Sequence, residues 1–177
     1  FGHRAVADED AEDVLEIAAT DSGYRLTFRG DIVEEVATAI MANSCVIQLL
    51  LKLEHPNTAL LAYCHAAAVC RDGQSLLIPG RSGAGKSTLT GYLVAHGFAY
   101  LGDDINAIGE DDAALLPLPS CLSIKAGSWP LIEQYFPVLR QRPTLSRYGR
   151  NIRYLEPEQN YETMFAANAP SAIVFPA

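Results

Sequence analysis

The sequence predicts an α/β fold on a mixed, partly antiparallel sheet, preceded by a small α+β annex. Three observations carry this. Ser75-Leu-Leu-Ile-Pro79 is an apolar, β-prone run leading into a glycine-rich segment, after which Leu89, Leu93 and Val94 recur at helical spacing until Gly97. Arg71-Asp-Gly-Gln74 separates that run from Leu60–Cys70, so the two apolar runs form an antiparallel hairpin. Short extended runs then return at Ala99–Leu101, Ile105–Ile108, Ala113–Pro117, Cys121–Ile124, Ile152–Leu155 and Ala172–Phe175. Residues 1–58 make the annex and residues 59–177 the main domain.

Within the annex, Val14–Ala19 and Tyr24–Phe28 alternate around the turn Asp21-Ser-Gly23, which predicts a hairpin. Asp31 followed by Glu34 has capping-box spacing, so a helix is expected from Ile32 to about Met41. Asn43-Ser44 predicts a break, with Ser44 capping a second helix through Leu53. That helix is apolar nearly all round from Cys45, which predicts burial or an interface and is compatible with a homo-oligomer. Further on, Gly127–Phe136 is expected as a helix with Pro130 in its first turn. Residues 139–150 read as a basic, turn-rich loop carrying Arg140, Arg142, Arg147 and Arg150.

The chain carries a net charge of −8, against the basic footprint that a nucleic-acid backbone requires. Much of the acidity lies early, in Asp8, Glu9, Asp10, Glu12, Asp13 and Glu16, which reads as a solvated face. Cys45, Cys64, Cys70 and Cys121 show no metal-ligand spacing, and the expectation is reduced thiols in a cytoplasmic protein. No run reaches the ~18 uncharged apolar residues of a membrane span, so no membrane partner is expected.

The chemistry concentrates between Ser75 and Asp104. Gly80, Gly85, Lys86 and Ser87 satisfy G-x-x-x-x-G-K-[ST], and the order strand, glycine loop, helix is the context that motif needs. Gly80, Gly83 and Gly85 let successive N–H groups turn inward, so that Ser82, Gly83, Ala84, Gly85 and Thr88 line a phosphate cradle. Lys86 is expected as a solvated point charge for the β/γ-phosphates, and the Ser87 hydroxyl as a ligand of Mg²⁺. The chain thus reads as a P-loop fold binding Mg·ATP.

Asp103 and Asp104 follow Lys86 by 17 and 18 residues, at the C-terminal end of the next strand, where α/β proteins bind ligands. One carboxylate could hold Mg²⁺ and the other take a proton from an incoming hydroxyl. Gly102 permits a bend that brings both to one site. His65 sits in the neighbouring apolar strand. Spacing leaves two readings of it, a satisfied core histidine or a group facing the site.

The segment from Cys64-His65-Ala-Ala-Ala through the glycine loop to His96-Gly-Phe-Ala-Tyr-Leu-Gly-Asp-Asp104 resembles the catalytic domain of the HPr kinase/phosphorylase family. It is most similar to the short HPr-kinase-related serine kinases. The resemblance is specific from His65 to Asp104 and diffuse elsewhere. It implies a mixed sheet related to phosphoenolpyruvate carboxykinase, with His65 at the active site, Asp103 as catalytic base and Asp104 as a Mg²⁺ ligand. Gly149-Arg150-Asn151 resembles the end of that family's Pro-Gly-Arg-Asn loop, with Tyr148 in place of proline. Its Glu-Ile-Arg-Gly signature is missing, and Ser123-Ile-Lys-Ala-Gly127 stands near its place. Residues 1–58 do not resemble that family's N-terminal domain.

The expected activity is transfer of phosphate from Mg·ATP to a serine-type hydroxyl of a protein or peptide. Lys86 would steady the phosphates, Asp103 would accept the proton, and Arg150 would stabilise developing charge. A small-metabolite kinase and a non-catalytic nucleotide-binding regulatory module are the alternatives.

Overall fold

A computed structural model describes residues 13–110, 112–118, 120–147, 149–157 and 169–176. It is a mixed α/β structure in which one sheet contains a parallel pair. The chain divides into two compact units, one ending at Pro56 and the other beginning at Asn57. The acidic residues 8, 9, 10 and 12 lie outside the described residues. Among the described residues, no helix is long and apolar enough to cross a membrane.

The first unit is an antiparallel meander of β1 (Leu15–Thr20), β2 (Gly23–Phe28) and β3 (Asp31–Val36), followed by α1 (Ala39–Glu54). The hairpin at Asp21–Gly23 forms as expected. A Cβ on Gly23 would stand 2.1 Å from the Val36 carbonyl oxygen, so only glycine fits there. The helix expected from Ile32 to Met41 does not form, because residues 31–36 are the third strand. Arg29 and Gly30 both have positive φ, the twist of a two-residue hairpin turn, and they return the chain alongside β2. Arg25 then donates across the pair to Glu35 at 2.6 Å. The helix begins later, where Thr38 Oγ1 accepts from the Met41 N–H (3.3 Å), and it runs unbroken through Asn43-Ser44. Ser44 is no cap: its hydroxyl donates to the Ile40 carbonyl at 3.1 Å within the helix. The annex therefore holds one helix, not two. Its core joins Leu26 to Ala42 and Val46.

The second unit is built on a four-stranded sheet ordered β13-β6-β5-β7: β5 (Ala66–Arg71), β6 (Gln74–Pro79), β7 (Ala99–Gly102) and β13 (Pro170–Ile173). β5 is antiparallel to both β6 and β7, whereas β13 runs parallel to β6. The expected hairpin is present, with Arg71 opposite Gln74. Alternation along β5 serves two cores: Ala66, Ala68 and Cys70 pack with Leu77, Leu101 and Leu115 on one face. Ala67 and Val69 pack with Ile78, Leu89 and Leu93 on the other, under α2 (Lys86–Ala95). The small side chain of Ala67 leaves room for that helix to approach.

The run Leu60–Cys70 is not one strand. It breaks at His65 into β4 (Leu60–Cys64) and β5, which belong to different sheets. β4 pairs with β8 (Asn106–Gly109), which in turn pairs with β9 (Leu115–Leu116). A third sheet contains β10 (Leu122–Lys125), β11 (Leu145–Arg147) and β12 (Arg150–Leu155). Between them lies α3 (Trp129–Tyr135), shorter than the helix expected over 127–136 because residues 126–128 form a tighter turn. Gly91 of α2 is nearly touching Ile132 of α3 and Leu122, and a Cβ there would stand 3.1 and 3.3 Å away. In the basic stretch Arg140 bridges to Glu133, as does Arg153 of β12. None of the four cysteines takes part in a disulfide.

Candidate functional site

Strand direction gathers the site at one rim of the four-stranded sheet. β6 and β7 point the same way, so Pro79 and Gly102 end together, and β5 starts there because it is antiparallel to both. The segments attached to those three ends are the glycine loop, Asp103-Asp104 and His65. They meet around a cavity of about 240 Å³.

From the expected site residues, His65, Ser82, Gly83, Gly85, Lys86, Ser87, Thr88 and Asp104 line it. Gly83 and Gly85 have φ of +97° and +93°, a conformation that favours glycine. Gly85 occupies the N-cap of α2 and has no side chain to cap it, so the first amides of that helix are left for an anion. Ala84 donates its N–H to the Arg81 carbonyl (3.1 Å), closing the loop.

Lys86 is not the solvated charge expected from its place at the loop end. It is buried, its ammonium donates to the Gly80 carbonyl at 2.9 Å, and Asp104 lies 4.0 Å away. The loop folds over its own lysine, which puts the charge on the cavity floor.

The two aspartates differ sharply. Asp103 is buried and accepts three contacts: the Ser87 hydroxyl at 3.1 and 3.0 Å from its two oxygens, and the Ser123 N–H at 3.0 Å. Burial pushes its pKa up to about 6, the Asp104 charge adds to this, and the Ser123 and Ser87 hydrogen bonds and Lys86 pull against it. Asp104 is well exposed and faces the cavity. It stands at φ +63° in the middle of a turn closed by Ile105 N–H onto the Asp103 carbonyl (2.8 Å). That conformation is rare and strained away from glycine, and such strain gathers at functional sites.

The bend is therefore made at Asp104 and not at Gly102, as the sequence had suggested. Gly102 is required for another reason: a Cβ there would stand 2.7 Å from Asn106 Oδ1. Asn106 is fully buried and donates to the Ala66 carbonyl at 2.7 Å, which ties the aspartate turn to the residue after His65. His65 itself is exposed at the break between β4 and β5, facing the cavity and not the core.

Arg150 reaches the loop from β12, its Nη1 donating to Ser82 Oγ at 3.3 Å. Gly149 and Asn151 flank it, while Tyr148 lies outside the described residues. Sequence reasoning missed Lys125, whose ammonium also donates to Ser82 Oγ (3.1 Å), as well as Ser123 and Ser128. Ser128 Oγ hydrogen bonds Thr88 Oγ1 at 2.5 Å. The signal for two of them was present: along β10, Leu122 and Ile124 are buried, so Ser123 and Lys125 share the other face.

No family model and no curated protein matches the chain.

Proposed function

We propose that the chain is a P-loop serine kinase of the HPr-kinase-like kind, which binds Mg·ATP on the glycine loop and transfers its γ-phosphoryl group to a serine-type hydroxyl of a protein or peptide. The observation that carries this reading is the hydrogen-bonded pair Ser87–Asp103 at the foot of a cavity that also holds Lys86, Asp104 and His65. The donor set fits the ligand. Loop amides, Lys86, Lys125 and Arg150 supply positive charge and N–H donors for phosphate oxygens.

The oxygen atoms of Ser87 and Asp103 are hard ligands suited to Mg²⁺. Among the described residues no group of three His, Cys, Asp or Glu could hold a metal alone. A Mg²⁺ here would complete its shell with phosphate oxygens and water, as that ion commonly does. Held by Ser87 and Asp103, it would neutralise negative charge on the phosphates during transfer.

The hydrogen bonds favour exchanging the two aspartate roles implied by the resemblance. Asp103 is committed to Ser87, the metal side, while exposed Asp104 faces the space an acceptor would enter. Asp104 would take the acceptor hydroxyl's proton as its oxygen bonds to the γ-phosphorus, and the bond to the β,γ-bridging oxygen breaks to release ADP. Lys125 and Arg150 would stabilise the charge on the transferred group. His65, exposed on the same wall, would orient the acceptor.

The test is incubation with Mg·ATP and a panel of serine-bearing peptides and proteins, read by mass spectrometry and ADP release. Phosphoserine formed in step with ADP supports the reading. Phosphate on a small metabolite hydroxyl instead would make it a metabolite kinase, and binding without turnover a regulatory module. Failure to bind Mg·ATP would remove the reading altogether.

A further inference from the structure

We infer that the open edge of β4 is where the acceptor peptide docks, adding to the sheet as a further strand that leads its serine to the cavity; this rests on the kinase reading above. The strand register carries it. β5 pairs with β7 at Ala68 and Gly102, and β4 pairs with β8 at Cys64 and Asn106, four residues further along the same antiparallel ladder. The two pairings therefore continue one another across His65 and the aspartate turn, on one side of the β4–β5 segment.

The other side is different. Beside β5 it is taken by β6, which ends with Pro79 opposite Ala66, where the chain turns away into the glycine loop. Beside β4, in line with β6, no strand pairs among the described residues, so β4 is the edge of its sheet. Edge strands present unpaired N–H and C=O groups, and proteins commonly blunt them with charge or proline. Leu60-Leu-Ala-Tyr-Cys64 has neither, and Leu61 and Tyr63 are exposed. Its one irregularity, a register shift between Leu60 and Ala62, lies at the end away from the cavity.

β4 spans five residues, so the slot beside it is roughly 17 Å long. One end of that slot meets the glycine loop and His65, which lines the cavity with Asp104. A peptide extended along the edge brings its end residue to that wall. In this mode main-chain hydrogen bonds supply affinity and alternate side chains supply preference. Leu61 and Tyr63 favour apolar or β-branched residues near the serine.

The probes are two eight-residue peptides of alternating valine and lysine, one with a single serine at its N-terminal end and one with it at its C-terminal end. The same peptides with every backbone amide methylated cannot donate to a ladder and serve as controls. Hydrogen exchange of the full chain with Mg·ADP should show the outward amides of β4 exchanging freely alone and protected by the parent peptides, not by the methylated ones. With Mg·ATP, one of the two serines should be phosphorylated at least tenfold faster than in its methylated form. L61A/Y63A should raise the peptide KM about fivefold, within what two cross-strand pairs supply, while Mg·ATP affinity holds. Unchanged KM in that variant overturns the side-chain preference. Amides of β4 already protected in the free chain, by another part of it or by a second copy, overturn the docking edge. So does equal phosphorylation of the methylated peptides, or phosphorylation of neither serine by a chain that binds Mg·ATP. A chain that does not bind Mg·ATP overturns the kinase reading and the acceptor role of β4 with it.

Discussion

Replacing Asp103 with asparagine should make the protein more stable, by an amount that depends on pH. The carboxyl group is buried beside Asp104, and its folded pKa of about 6 stands above the ordinary 3.8. Two pKa units correspond to roughly 3 kcal/mol. Because the folded-state value is raised, the folded protein binds more protons than the unfolded chain between pH ~4 and ~6, and stability falls as pH rises through that window. Below it Asp103 is neutral in both states and contributes nothing; above it the full cost of about 3 kcal/mol is present. Asparagine has nearly the same shape and carries no charge. Its oxygen can accept from the Ser123 N–H, and its amide can donate to Ser87 Oγ once that hydroxyl turns. D103N should therefore match the parent chain near pH 4 and exceed it by up to about 3 kcal/mol at pH 7.5. Urea unfolding of both proteins at intervals from pH 4 to 8 measures this, since titrating groups that do not interact with Asp103 cancel in the difference. A difference that does not change with pH, or a variant that loses stability as pH rises, would refute the reasoning. A gain in stability accompanied by a raised Mg²⁺ requirement for nucleotide binding would mark a carboxylate kept for chemistry at the expense of the fold.

The other substitutions separate the remaining roles. D104N should hold Mg·ATP affinity while single-turnover transfer falls by ~10²–10⁴, the usual worth of a general base, and equal, mild effects from both aspartates would remove the kinase chemistry. Lys86→Ala should abolish turnover and weaken Mg·ATP binding in a calorimetric titration. Because Lys86 is buried and holds the Gly80 carbonyl, the change should also cost about 1 kcal/mol in denaturant unfolding. His65→Ala should slow transfer yet stay within about 0.5 kcal/mol of the parent in stability, as expected of an exposed side chain, and a large drop in melting temperature would return His65 to a structural role. Gly102→Ala should destabilise by about 1–3 kcal/mol, because its Cβ would stand 2.7 Å from Asn106 Oδ1, and an unchanged melting temperature would show that the contact yields freely.

What could be read along the chain was what depends on neighbours in sequence. The turn residues of Asp21–Gly23 and Arg71–Gln74, the glycine loop between strand and helix, and the Gly97 stop all act over a few residues. Each stands where local chemistry put it. The error at residues 31–41 has the same root. Asp31 and Glu34 satisfy a local capping rule, yet pairing with β2 across the Arg29-Gly30 turn gives residues 31–36 strand partners, with one register shift, and tertiary pairing prevailed. The break at His65 was invisible because Leu60–Cys70 is a mostly apolar run with no glycine or proline to mark a turn. Only membership of two different sheets shows why the chain must turn there.

The sequence by itself determined the contiguous part of the site, a loop of three glycines ending in Lys86-Ser87 and a strand ending in two aspartates. The tertiary structure alone decided how they are divided: Asp103 drawn under Ser87 and Asp104 strained outward, Lys86 folded beneath its own loop, Lys125 and Arg150 brought onto Ser82 from β10 and β12 of another sheet. The physical reason is that burial and hydrogen-bond partners are properties of packed neighbours. Those neighbours stand as far as 68 residues away in the chain, so no local pattern encodes which aspartate loses its water.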